Sequence, residues 1–151
     1  MQFHKPDDVS GAYGVTDYWY DAINAPGARQ MIYLKNLILS RPYFNRVPDQ
    51  SIIADNNGAK YNHLAATRGK NYLFVYSYNC RKYKINFGKI SGDSLKAYWY
   101  NPRNGESTFI GKFLNKGTAE FIAPCKSEKE NDWVLIMDDL SAGFSLPGKF
   151  F

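Results

Sequence analysis

Between Asn71 and Phe113 the chain sets down four strand-like runs in close succession, and that spacing limits its fold more than any other feature. They read Asn-Tyr-Leu-Phe-Val-Tyr-Ser-Tyr from Asn71, Lys-Tyr-Lys-Ile-Asn-Phe from Lys82, Ser-Leu-Lys-Ala-Tyr-Trp-Tyr-Asn from Ser94 and Glu-Ser-Thr-Phe-Ile-Gly-Lys-Phe from Glu106. Turn residues fill the gaps at Asn79 to Arg81, Gly88 to Asp93 and Asn101 to Gly105. Alternation is cleanest from Lys82 to Phe87, where Tyr83, Ile85 and Phe87 share one face and Lys82, Lys84 and Asn86 the other. Runs this short, joined by gaps this small, favour antiparallel pairing.

Further strands are expected over Ser51 to Asp55 and Tyr61 to Thr67, joined by the turn signal Asn56-Asn57-Gly58. Two more are expected over Thr118 to Ala123 and over Asp132 to Asp138, the last apolar enough for burial on both faces. The fold class is therefore mainly β, an antiparallel β-sandwich of about eight strands preceded by one amphipathic α-helix. The aromatic share, 17%, suits strands and a packed core and excludes pure disorder. The helix is expected from about Pro26 to Leu39: Pro26 fits the first turn, and Met31, Leu34 and Ile38 recur on one face. Arg41-Pro42 ends it. The chain thus divides into an N-terminal loop and helix (1–40), a proline-containing connector (41–50), a β-sandwich (51–140) and a loosely held tail (141–151).

Chemistry is harder to find. The net charge of +5 is spread along the strands instead of gathered into a patch, which argues against nucleic acid. No run approaches a membrane span, and the amino terminus lacks the apolar core of a signal peptide. Cys80 and Cys125 have no metal-binding spacing and fall in loops, where both can be free. His4 and His63 build no catalytic set, Gly-Lys pairs lack the spacing of a phosphate loop, and Asp138-Asp139 reads as a solvated strand end. No catalytic residue, metal site or cofactor is therefore expected. An acidic and aromatic cluster around Tyr13, Tyr18, Trp19 and Tyr20 suits either a sugar surface or a packed loop. Trp99 is in phase with Leu95 and Ala97 and belongs to the core, whereas Tyr98, Tyr100 and Lys96 share the other face. There they are either candidates for stacking a ligand or part of the packing.

Several motifs together resemble a known family. They are Gly27-Ala-Arg-Gln-Met with Tyr33-Leu-Lys-Asn-Leu, Ser40-Arg-Pro-Tyr-Phe, Arg46-Val-Pro-Asp-Gln-Ser, Ala66-Thr-Arg-Gly-Lys-Asn-Tyr, Asn86-Phe-Gly-Lys-Ile-Ser-Gly, Trp99-Tyr-Asn-Pro-Arg-Asn-Gly-Glu and Asn131-Asp-Trp-Val-Leu. The chain is similar, from about Tyr13 to Asp139, to the C-terminal part of bacterial apiosidase-like glycoside hydrolases. In these a catalytic (β/α)₈ barrel precedes a β-sandwich catalogued as a "putative collagen-binding domain of a collagenase". The resemblance implies that residues before about 40 are the end of such a barrel, which as a whole takes about 250 residues. It therefore carries no catalytic residue over to this chain. It implies a non-catalytic accessory domain, a truncated product or a fragment, that supports a catalytic barrel and helps hold polysaccharide. The alternative is an independent carbohydrate- or collagen-binding module. Met31, Leu34, Ile38, Tyr43 and Phe44 become candidates for the domain interface. Export is expected of the parent family.

Overall fold

A computed structural model describes residues 18–125 and 132–149. His4 and most of the acidic and aromatic cluster near Tyr13 lie outside the described residues. The chain separates into two compact units, one up to Ile32 and one from Tyr33 onward. In the first, a short helix α1 (Trp19–Ala22) precedes the opening turns of α2 (Pro26–Leu39), and the rings of Tyr18 and Tyr20 stack at 5.2 Å. The second unit holds the rest of α2 and all of the described β-structure.

Eight strands are formed among the described residues: β1 (Val47–Pro48), β2 (Leu64–Arg68), β3 (Tyr72–Ser77), β4 (Tyr83–Asn86), β5 (Ser94–Asn101), β6 (Glu106–Leu114), β7 (Thr118–Phe121) and β8 (Trp133–Asp139). All pair antiparallel, in a six-stranded sheet of order β1-β2-β3-β8-β5-β6 and a two-stranded sheet β4-β7. The apolar run of β8 becomes a central strand buried along its whole length, as its composition requires. Beside it, the β5–β6 ladder shifts register between Ala97 and Tyr98, a bulge that leaves Ile110 without a partner on β5.

Alternation then divides the core in two. Leu73 and Val75 of β3, Leu95, Ala97 and Trp99 of β5, and Leu135 and Met137 of β8 face the small sheet, where Tyr83, Ile85 and Phe121 meet them. The residues between them, Tyr72, Phe74, Tyr98, Tyr100, Val134 and Ile136, pack on the opposite face with Leu37 and, at the margin, Tyr33 and Phe144. Tyr33 and Leu37 are one turn apart, so the second half of α2 lies on the large sheet through that pair.

Three local expectations are corrected. Ser51 to Asp55 forms no strand: Gln50–Ile52 is a 3₁₀ turn capped by Asp49, and only Ile53 keeps a β-bridge, to Ile85. The edge strand lies earlier, at Val47–Pro48, inside the expected connector. There Gln50 stands in for strand backbone, donating to the Leu64 carbonyl and accepting from the Ala66 amide, each at 2.7 Å. Cys80 and Cys125 are not free; they form a disulfide with Cα atoms 6.0 Å apart. Finally, residues 141–149 are held. Phe144 packs on the second core, the Pro147 carbonyl accepts from Ser107 Oγ at 2.9 Å, and Gly148 lies against the Tyr100 ring. At Gly148, φ is +76° and a Cβ would come within 2.7 Å of that ring, so only glycine fits.

Candidate docking and ligand-binding surfaces

Tyr98 and Tyr100 are not an open stacking face. Their parity is as the alternation predicts, but Tyr98 is 7% exposed and Tyr100 wholly buried. The Tyr100 hydroxyl donates to the Tyr33 carbonyl at 2.8 Å. The physical reason is the cover: α2 and the segment around Phe144 occupy the face that the sheet alone would leave to solvent. Burial pushes the Tyr100 hydroxyl up to about 12. Lys96 remains half-buried on the same face.

The expected interface residues are placed differently. α2 presents two apolar faces, and the one spent on the sheet is Tyr33 and Leu37. Leu34 is 41% exposed, Ile38 half-buried, and Met31, in the first unit, is exposed as well. Beyond the helix, Tyr43 is exposed, and Phe44 is 95% exposed with its ring edge-on to Tyr43 at 5.3 Å. An open cleft of about 380 Å³ lies here, lined by Tyr43, Phe44, Arg46, Val47, Pro48 and Thr67.

This corner is rigidly supported. Arg41 is buried and grips Asp138 with two hydrogen bonds, Nε to Oδ1 at 2.8 Å and Nη2 to Oδ2 at 2.6 Å. Nη1 donates to the Ser40 carbonyl, Nη2 donates to the Ser145 carbonyl as well as to Asp138, and the guanidinium lies 4.7 Å from the centre of the Phe144 ring. Asp138 is therefore no solvated strand end: burial pushes its carboxyl up, while Arg41 pulls it down. Arg46 donates to the Ile38 carbonyl at 3.0 Å, satisfying one of the last carbonyls of α2, and lies over Phe74 at 4.7 Å. The Tyr72 hydroxyl donates to the Pro42 carbonyl at 2.8 Å. Both arginines of the Arg-Pro-Tyr-Phe-Asn-Arg motif thus brace the chain from beneath, and the two aromatic residues between them are left in water.

Asp139 too is buried, and it accepts from Ser141, Asn71 and Ser91. Ser141 is local, in the 3₁₀ turn that Asp139 caps, whereas Asn71 and Ser91 come from two loops distant in sequence. Among the described residues no group of three or more His, Cys, Asp or Glu is placed to hold a metal ion. No described helix is long and apolar enough to cross a membrane.

Residues 47–138 match the sequence model of the family described as "Putative collagen-binding domain of a collagenase". No match is found among curated proteins. Among solved structures, a chain titled "Glycoside hydrolase" is 50% identical with a TM-score of 0.82, over 93% of this chain and 31% of that one. A glycoside hydrolase family 5 structure from Bacteroides vulgatus is 41% identical with a TM-score of 0.80, over 90% of this chain and 31% of its own. This chain therefore spans about a third of the length of either neighbour.

Proposed function

The chain belongs to that family of sandwich domains, and on this premise we propose that it is a non-catalytic accessory module of a glycoside hydrolase, seated against a catalytic barrel. The observation that carries the reading is the apolar corner left in water beside α2. Leu34, Ile38, Tyr43 and Phe44 would meet the barrel. A phenylalanine 95% exposed on a braced backbone is the kind of aromatic anchor that interfaces use at their centres. The share of the neighbours that this chain leaves uncovered, more than two thirds of each, is room enough for a catalytic domain. The module works beside that domain, in one polypeptide or as a separate piece. We also infer that it acts outside the cytoplasm; the Cys80–Cys125 disulfide supports this, since such bonds persist in oxidising compartments.

The test is a chimera. This chain replaces the matching part of the 50%-identical glycoside hydrolase, and its melting is followed by calorimetry. A docked module gives one cooperative transition, and Leu34→Glu with Phe44→Glu splits it into two. Two transitions already in the unsubstituted chimera would remove the docking claim.

A further inference from the structure

Tyr76 keeps the parity of Tyr72 and Phe74, so its side chain rises from the same face of the large sheet, and Tyr78 follows directly after the strand. Tyr72 and Phe74 are buried in the second core, whereas Tyr76 and Tyr78 stay exposed. Directly opposite Tyr76 on β2 is Ala65, itself exposed and too small to cover a ring. Tyr61, 72% exposed, leans on Tyr78 with ring centroids 5.2 Å apart and planes tilted by 35°. Three partly or largely exposed tyrosine rings thus gather at one end of the sheet.

A carboxylate is fixed among them. Asp132, just before β8, accepts a hydrogen bond from the Tyr76 hydroxyl, and its amide donates to the Tyr78 carbonyl at 3.0 Å. Its φ of +73° is a conformation that non-glycine residues seldom adopt, and such strain gathers at ligand sites. Arg103 braces it, donating to the Asp132 carbonyl at 3.1 Å with its guanidinium 5.2 Å from the centre of the Trp133 ring. Burial, and then the hydrogen bond to Asp132, push the Tyr76 hydroxyl up, so it remains a donor at any physiological pH. Beside Tyr61 and Tyr78, the side-chain amides of Asn62 and Asn79 are hydrogen-bonded to each other.

We propose that Tyr61, Tyr76, Tyr78 and Asp132 form a binding subsite for an uncharged polysaccharide chain. A pyranose ring offers a flat C–H face to an aromatic ring and a rim of hydroxyls to carboxylates and amides, which is the pairing found here. An uncharged sugar fits better than a uronate, because the fixed charge at the centre is a carboxylate. The neighbouring arginines are also engaged with backbone carbonyls, Arg103 with Asp132 and Arg81 with Asn56. The choice of ligand class rests on the glycoside hydrolase reading; the surface itself shares no residue with the docking corner.

The experiment is native affinity electrophoresis of the 151-residue chain in gels containing xyloglucan, glucomannan, polygalacturonate or gelatin. At least one of the two neutral glycans should retard it. Tyr61→Ala and Tyr78→Ala, both at exposed rings, should weaken that binding at least tenfold while keeping the wild-type thermal midpoint. Tyr78→Phe should keep the binding, since stacking needs the ring and not the hydroxyl, and Phe44→Ala should leave it unchanged. The proposal is overturned if neither neutral glycan retards the chain, if only polygalacturonate or gelatin does, or if Phe44→Ala removes binding as fully as the tyrosine variants. Silent gels beside a chimera that melts as one unit would reject this subsite and leave the docking reading standing.

Discussion

Arg41 and Asp138 show how much of this domain depends on single polar contacts placed deep in the structure. Asp138→Ala would leave a guanidinium buried with no counter-charge, and breaking such a pair costs about 3–5 kcal/mol. Urea unfolding should read that loss, while Arg41→Met with Asp138→Leu should cost less than either single change, because the charge and its partner leave together. Asp49 and Asp139 set the acid behaviour. Hydrogen bonds from Ser51 and Arg68 hold the Asp49 carboxyl below its ordinary value. At Asp139 burial pushes upward, and the bonds from Ser141, Asn71 and Ser91 outweigh it, so this carboxyl too is lowered. A carboxyl more acidic in the folded state stabilises the fold above its unfolded value, about 3.9, and loses that contribution as pH falls through the folded one. Stability should therefore drop below about pH 4, and Asp49→Asn should flatten that limb of a urea-midpoint profile. Asp138, raised by burial, works in the opposite direction and moderates the slope.

At the scale of elements, α2 and the small sheet decide what the domain can do. α2 was legible: Pro26 opens it, Arg41-Pro42 closes it, and its apolar residues recur at helical spacing. Which face it buries was not, because Tyr33 and Leu37 look no more apolar than Leu34, which stays exposed, and Ile38, which is only half-buried. The alternation in β5 assigned Trp99 to one face and Tyr98 and Tyr100 to the other. It carried no information about what would cover the tyrosines, since that cover comes from residues far away in sequence. For Tyr76 the converse holds: a strand tyrosine reads as core unless the neighbour opposite, here Ala65, is known to be small. The disulfide was hidden as well, because its cysteines are 45 residues apart in unrelated loops. Closing a loop of that length is worth about 4 kcal/mol in the chain-entropy account. Cys80→Ser with Cys125→Ser should lower the urea midpoint accordingly, and reducing agent should do the same to the wild-type chain.

For the molecule as a whole, the six-stranded sheet is the shared wall of two cores, and the small sheet is the cover of one of them. Its two strands are distant in sequence: Tyr83 pairs with Phe121, and Asn86 with Thr118. Such pairing is slow to find, because the intervening chain must first give up its freedom. Cys80 and Cys125 both stand just beyond the Tyr83–Phe121 end of that ladder, so once oxidised they hold β4 and β7 within reach of each other before either is structured. The bond is therefore a kinetic device as well as a staple. Refolding of the oxidised chain should be faster than that of the serine double variant, and in the reduced chain the amides of β4 and β7 should exchange with solvent ahead of those in β3, β5 and β8.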